Sequence, residues 1–592
     1  FTRAFLESDQ TKHVLLFGNS FSDSLDFQRL PKIDGVVHGG SAADFQALMV
    51  TQTSRVVVVP KQSRRLLLHA ACLAGALQAP LHILEDNKHS ISSLKRQIAE
   101  ARTREVYAVG GTSEILGNLS NTRVVELGDE NAVALAYVKI QCERGPIDTL
   151  VLANPADVVS GSGNPMSTLA PWIALQKRAA LVLTNDKGDN AEDAIMAALE
   201  NPAIAKADTL VIAADLKAIP MCKRPNPIED DRDAFIEMEP MTPHGDKPCS
   251  FAVGRIFHED RNVVALMLAR ERLLQKEKHP KAIMISNPGG GLPLLETFSR
   301  HTADEFKNAG YDLTAHIGRG AYKTELKKKL PDANVFLWEG HVNTLFGSYA
   351  IQEWDEPLKP SLIFLQSCLA LEESRANPFL QRGAVAVIGS STRTYSGSGG
   401  ALALAFFDTL LYEDQTLGGS LRQAKNFMLA FAELKKKRFG ESSKLGGANV
   451  RAAWAFTLWG DPTINMPKPA RPDGALAPVR HVVQGNTIIV TLPDEKHGQI
   501  NSAKYSAVVP ANARLAGLVK KQDMSDQHKL VPFTFAEVEL PDAKPGVTPR
   551  IRTNLPDTHY VFCYDERCQR GYLLVTPRAK DHGELKFQLD WE

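Results

Sequence analysis

Short, almost wholly apolar runs recur along this chain at intervals that fit an alternation of strands and helices. Up to residue 220, strands are predicted at 13–17, 55–59, 81–84, 106–109, 149–153, 180–183 and 209–213, with helical segments filling the gaps. A run of about four to eight apolar residues bounded by turn signals reads as a strand buried on both faces. Strands alternating with helices make βαβ units and parallel sheets. The spacing also repeats. Strand 55–59, a helix ending Ala76-Leu77-Gln78, and strands 81–84 and 106–109 form one copy; strand 149–153, a helix ending Ala174-Leu175-Gln176, and strands 181–183 and 209–213 form the second. Units of this length indicate two Rossmann-like lobes, 1–120 and 121–225, and not a short-period solenoid.

Between 219 and 250 the chain turns Pro- and charge-rich (Pro220, Pro225, Pro227, Pro240, Pro243, Pro248), which reads as a connector or surface loop. A third α/β block follows over 226–468, with strands predicted at 251–254, 282–286, 335–338, 362–366 and 384–388 and helices at 401–411 and 420–435. After Pro467 short alternating strands (487–492, 504–509, 533–540, 560–564, 572–575, 584–589) are separated by Pro, Gly and Asp. That pattern predicts an immunoglobulin-like β-sandwich over 469–592. At roughly 150 residues per domain, a chain of 592 residues makes three or four domains.

Lys+Arg and Asp+Glu both number 68, so no net field draws nucleic acid or acidic lipid. The basic clusters Lys327–Lys329 and Lys435–Arg438 read as solvated helix ends. No apolar stretch reaches the roughly 18 residues of a membrane span. The chain begins at Phe1, and its seven cysteines leave an even number once Cys368 is set aside. Both favour an exported protein, whether periplasmic, secreted or at the cell surface. Cys563 with Cys568, and Cys222 with Cys249, are candidates for disulfides; buried free thiols are the alternative. Neither CxxC nor HExxH spacing occurs, so no metal site is predicted.

The chemistry concentrates where two of the apolar runs end. Val335-Phe336-Leu337-Trp338 leads into Glu339-Gly340-His341, and Leu362-Ile363-Phe364-Leu365 into Gln366-Ser367-Cys368. In open parallel sheets, ligands and chemistry gather outside the carboxyl ends of the strands. Neighbouring strands ending in His and Cys bring an imidazole to a thiol, the pairing of a Cys-His nucleophilic site. Alternation puts Glu339 on the same side as His341, where it either orients the imidazole or is a solvated strand-end carboxylate. Glu372 and Glu373 follow the Cys as rim charges, and Trp338, Trp354 and Trp459 read as packing or wall residues.

Around this pair the segments FAVGRI (251–256), EGH (339–341), LQSC (365–368), GAVAVIGSS (383–391) and LWGDPTI (458–464) occur in an order that resembles gingipain-type cysteine peptidases. The resemblance implies a caspase/gingipain-like α/β domain with an immunoglobulin-like domain behind it. It implies Cys368 as nucleophile, His341 as general base and acid, and the backbone N–H groups of Cys368 and Val342 as oxyanion hole. The family usually has Gly where Val342 stands, and Val restricts the backbone that aims this donor. By the same resemblance the 389–400 loop walls the substrate pocket, with Ser390, Ser391 and the aromatic Tyr395 as its residues. The segment Asn287-Pro288-Gly289-Gly290-Gly291 lacks the acid that cleavage after Arg or Lys would require. No cofactor is needed, while the family resemblance raises calcium. The expected partners are protein or peptide substrates and cell-surface or complex partners. The alternative is a catalytically silent scaffold that keeps the fold for binding. More loosely, the APLHIL and VYAVGG segments (79–84, 106–111) look like the cell-wall-binding repeats of some bacterial surface proteins.

Overall fold

In a computed structural model the chain forms two compact units, one of residues 1–220 and 259–261, the other of 221–258 and 262–592. The structure describes residues 13–17, 34–38, 54–157, 165–341, 356–439, 444–469, 481–491, 497–502, 505–510, 515–520 and 528–591, apart from 62, 230, 244–246, 321, 541–542, 544–545 and 577–582.

In the first unit β1 (His13–Phe17) pairs in parallel with β2 (Asp34–His38). The two copies of the repeat then build the same arrangement. β3 (Arg55–Pro60) lies between β4 (Leu81–Leu84) and β5 (Glu105–Val109), with β6 (Arg123–Leu127) beyond β5, all parallel. β7 (Thr149–Ala153) likewise lies between β8 (Ala180–Leu183) and β9 (Thr209–Ile212). In each copy the first strand is central and the next two flank it. The crossover helices Arg64–Leu77 and Ala170–Gln176 meet closely, since a Cβ on Gly75 would sit 2.1 Å from Leu175 Cδ1. The repeat read from the sequence is thus a repeat of strand order.

The second unit opens on an antiparallel hairpin, β10 (Cys222–Pro225) with β11 (Phe235–Met238), inside the segment that composition marked as a connector. Its prolines lie at strand ends and in the turn, and the pairing is fixed from outside, as described below. β12 (Ala252–Arg255), β13 (Lys281–Ser286), β14 (Asp312–Ile317), β15 (Val335–Glu339), β16 (Ser361–Gln366), β17 (Ala384–Ser390) and β18 (Phe456–Gly460) follow. They stand in the order β14-β13-β15-β16-β17-β18-β12. Pairing is parallel from β14 to β17; β18 runs antiparallel to β17 and parallel to β12. Two of these strands escape the apolar-run rule. β14 is an edge strand whose residues are all exposed or half-buried, so its text is polar. β18 carries the Trp459-Gly460 signal that resembles a packing turn.

The continuous apolar text of β15 and β16 is explained by helices on both faces. Leu337, Leu362, Phe364 and Ile388 join one cluster with Phe298 and Phe306 of helix Pro293–Asn308 and Phe406 and Phe407 of helix Ser396–Tyr412. Phe364 alone lies 5.1 Å from Phe406 and 5.2 Å from Phe407, ring to ring. On the other face Phe336 meets Phe379 of helix Glu373–Arg382. Trp338 and Trp459 are fully buried packing residues, the latter edge-on to Phe257 at 4.8 Å. Trp354 lies outside the described residues.

Two of the sequence motifs meet directly. Arg255 registers with Trp459, and a Cβ on Gly254 would sit 2.6 Å from both the Gly460 carbonyl oxygen and Pro462. Gly460 itself has φ +151° and faces Ala386, where an added Cβ would be 2.7 Å from the neighbouring Cβ. Gly460→Ala is therefore expected to lower stability by about 1–3 kcal/mol, from overpacking and a backbone that L side chains avoid. A thermal melt of the variant checks it; an unchanged midpoint would mean that the strand relaxes freely.

The C-terminal strands are antiparallel: β19 (His481–Gln484), β20 (Thr487–Thr491), β21 (His497–Ser502), β22 (Tyr505–Pro510), β23 (Leu515–Lys520), β24 (His528–Glu539), β25 (Arg550–Arg552), β26 (Tyr560–Asp565), β27 (Arg570–Val575) and β28 (Glu584–Asp590). β21 pairs with β22, and two four-stranded sheets run β19-β20-β28-β25 and β23-β24-β27-β26. Alternation along β24 divides its side chains between two cores. Ala536 and Val538 pack with Ile488, Val490 and Phe587 of the facing sheet. Phe533 and Phe535 turn instead to Phe431 and Phe427 of helix Leu417–Phe439, at 4.7 and 5.9 Å. A buried pair, Arg422 donating to Glu537 at 2.6 Å, fixes the same interface.

Two expectations are corrected. None of the seven cysteines is held in a disulfide, so neither candidate pair forms. Lys435 is not a solvated helix end. The helix runs on to Phe439, and the Lys435 ammonium is buried 4.2 Å from the Phe431 ring centre, where burial pushes it down to about 7.

Candidate active site

The carboxyl ends of β15 and β16 form the edge where the predicted residues gather. The register pairs Glu339 with Gln366, and the Gly340 N–H donates to the Gln366 carbonyl at 3.1 Å. His341 and Cys368 each stand two residues beyond this pair. They therefore leave adjacent parallel strands at the same level. His341 is exposed and Cys368 half-buried. Val342 lies outside the described residues.

Cys368 occupies a tight turn between β16 and helix Glu373–Arg382. Leu369, the next residue, has φ +52°, a left-handed backbone that costs a non-glycine residue about 1–3 kcal/mol. The turn is held by the Leu369 N–H on the Thr392 carbonyl (2.9 Å), by the Leu371 N–H on the Ser390 carbonyl (3.2 Å) and by Arg375 donating to the Leu369 carbonyl. The chain is thus pinned immediately past the sulfur. Glu372 is exposed and pairs with Arg375 at 3.2 Å; the Glu373 side chain is outside the described set.

The loop after β17 supplies the other wall. The Thr394 N–H donates to Cys368 Sγ at 3.4 Å, and the Thr394 carbonyl lies 3.4 Å from the same sulfur. Thr394 Oγ1 and Ser367 Oγ are buried without a hydrogen-bond partner among the described residues. Tyr395 precedes helix Ser396–Tyr412 and is half-buried. Burial first, then the charges of Asp233 and Cys368, raise its phenol. Ser390 is fully buried and donates to the Thr392 carbonyl at 2.8 Å, while Ser391 donates to the carbonyls of Glu237 and Ala455. Both serine hydroxyls tie the loop to its surroundings.

Glu339 is fully buried, so the solvated strand-end carboxylate is excluded. It accepts from Ser299 Oγ, which also lies 2.5 Å from Ser286 Oγ on the registered strand β13. Burial pushes the carboxyl up to about 7, with Ser299 and Ser286 partly offsetting it. On the far side of β15, the Asn287 N–H donates to the Glu339 carbonyl at 2.7 Å. Asn287 has φ +48° and its amide donates to Glu296 Oε1 at 2.8 Å, so the 287–291 segment carries no acid of its own but is met by a carboxylate from helix Pro293–Asn308.

Sequence reasoning missed a second group around the sulfur. Arg451, on helix Lys444–Ala455, is 1% exposed and pairs with Asp231 and Asp233 from the turn of the β10–β11 hairpin. Its Nε donates to the Arg393 carbonyl at 2.9 Å, and Arg393 pairs with Asp233 as well. No local signature marks these residues, because 218 positions separate Asp233 from Arg451.

Residues 228–467 match the family model of Peptidase family C25. The gingipain-type resemblance read from the five motifs is shown by this match, which spans every site residue just described and supports a cysteine peptidase. No curated protein matches the sequence. Among solved structures, the complex of Porphyromonas gingivalis RgpB pro- and mature domains is 13% identical at a TM-score of 0.41, covering 61% of this chain and 91% of its own. The Saccharomyces cerevisiae separase-securin complex is 14% identical at 0.28, covering 36% of this chain and 14% of its own. Cwp6 from Clostridium difficile is 14% identical at 0.26, covering 57% and 52%. At these scores the overlays do not define a common fold, and the C25 match is what bears on function. Calcium would need about six to eight oxygen ligands. In and around the C25 region no group of three His, Cys, Asp or Glu side chains converges among the described residues, and no helix there is long and apolar enough to cross a membrane.

Proposed function

We propose that the chain is a cysteine endopeptidase, exported or held at a cell surface, that hydrolyses peptide bonds through Cys368 and His341. The observation that carries this reading is the Glu339–Gln366 register within the C25 region, with both reactive residues two positions past it. The Cys368 thiolate would attack the peptide carbonyl carbon, and the oxygen would take the charge before the backbone N–H groups of Cys368 and Val342. As the C–N bond breaks, the His341 imidazolium would give its proton to the leaving amine, leaving a thioester. Water then adds to that thioester while His341 takes its proton, and the C–S bond breaks to release the acid and restore the thiolate. This sequence needs no metal or other cofactor. Tyr395 would face the substrate residue before the scissile bond, on a loop held by Ser390 and Ser391. In this reading the N-terminal unit holds tandem Rossmann-like lobes, and the C-terminal sheets form an immunoglobulin-like sandwich behind the caspase/gingipain-like domain.

A peptidyl probe carrying a thiol-alkylating group tests the proposal. Modification at Cys368 under reducing conditions, absent from Cys368→Ala, is the expected result. A wild-type chain that hydrolyses no peptide and takes no probe would leave the second reading, a silent scaffold, which Val342 and the acid-free 287–291 segment favour.

A further inference from the structure

We propose that Arg451 is a positioning residue for the Cys368 thiol, acting through the single peptide group that joins Arg393 to Thr394. The inference rests on Cys368 being the nucleophile and adds how its thiolate is held. The carbonyl that accepts from Arg451 Nε and the N–H that points at Cys368 Sγ belong to one peptide unit, with contacts of 2.9 and 3.4 Å on its two ends. A cation bonded to a carbonyl polarises the amide, so its N–H becomes the stronger donor. A hydrogen bond directed at the charged form of an acid favours that form. The guanidinium thereby lends its charge to the thiolate without touching it.

The rest of the cluster keeps this geometry in place. Asp231 and Asp233 hold the two terminal nitrogens of Arg451, which leaves Nε for the peptide. Asn226 fixes the aspartates in turn, its amide donating to Asp231 at 2.9 Å and to the Asp233 carbonyl at 2.6 Å. A lysine could not serve two carboxylates and a carbonyl from one fixed plane. The Tyr395 ring lies 5.7 Å from the Arg451 guanidinium carbon, so the pocket aromatic rests on the same support. This gives the hairpin a role that its Pro-rich sequence conceals. It closes the far side of the nucleophile loop. The charged and titratable groups disposed around the sulfur are His341 past β15, Arg393 and Tyr395 on the loop, Asp231 and Asp233 on the hairpin, and Glu372 and Arg375 after the turn. All of these stay in the variants below.

The test is the pH profile of Cys368 alkylation by iodoacetamide, followed by mass spectrometry on the full chain. In Arg451→Gln the profile should move up by about one pH unit, and the rate at pH 7 should fall about tenfold. Arg451→Lys retains a buried cation for the aspartates and covers the case in which the Gln variant does not fold. Its profile should also move up, by less. Profiles that coincide with wild type in a natively folded Lys or Gln variant overturn the proposal. A wild-type Cys368 that alkylates readily but hydrolyses no peptide would sink the peptidase reading and leave the coupling intact, so the two failures are told apart.

Discussion

Replacing His341 with Ala is expected to lower peptide hydrolysis by about 10²–10⁴-fold, the usual worth of a positioned general acid–base group. That range corresponds to about 3–5 kcal/mol of transition-state stabilisation. The fold should not suffer, because His341 is exposed at a strand end and fills no part of the core. Cys368→Ala should abolish turnover and acyl-enzyme formation together, since no other cysteine stands at this edge. Steady-state kinetics with circular dichroism on both variants decide the matter. Hydrolysis that survives His341→Ala within a factor of a few would remove the imidazole from the reaction. The losses should also be non-additive, because either change alone dismantles the pair.

Glu339→Gln is expected to change stability in a direction set by pH. The ordinary value for a glutamate is 4.5, and in the fold burial raises Glu339 to about 7. The folded state therefore keeps a proton that the unfolded chain gives up. The stability this contributes is fully present below about pH 4.5 and is lost as pH rises through about 7. The span is worth about 3 kcal/mol, at 1.36 kcal/mol per pH unit. Gln cannot ionise, so at pH 8 the variant should be more stable than wild type by up to about 3 kcal/mol, and at pH 4.5 within about 1 kcal/mol of it. The surroundings disfavour a charge there: Glu339 Oε1 is buried without a hydrogen-bond partner among the described residues, so ionising the carboxyl would leave that oxygen uncompensated. Urea titrations at pH 5 and pH 8 read the difference; parallel pH slopes for variant and wild type would refute it. The same variant separates two roles. If Glu339 also orients the imidazole, kcat falls while stability at pH 8 rises.

The fold was written most clearly where it is most buried. β7, β15, β16 and β17 appear as continuous apolar runs because both of their faces are buried, leaving no polar side to interrupt the text. The edge strand β14 and the hairpin β10–β11 stayed hidden for the opposite reason. Half-exposed strands carry ordinary polar residues, and their pairing is enforced by partners far away in sequence. The basic cluster at 435–438 shows the same limit. Composition marks a helix end, yet only packing against Phe431 turns Lys435 inward.

By itself the sequence determined the strand–helix alternation, the strand order that recurs in β3–β5 and β7–β9, and the two strands that end in His341 and Cys368. Apolar period and turn residues encode such features locally. Tertiary structure alone decided that Glu339 is a buried acid, that Leu369 takes a left-handed turn beside the sulfur, and that Asp231, Asp233 and Arg451 reach the thiol through one peptide group. Those properties belong to desolvation and to contacts between distant segments, and both exist only once the chain has closed on itself.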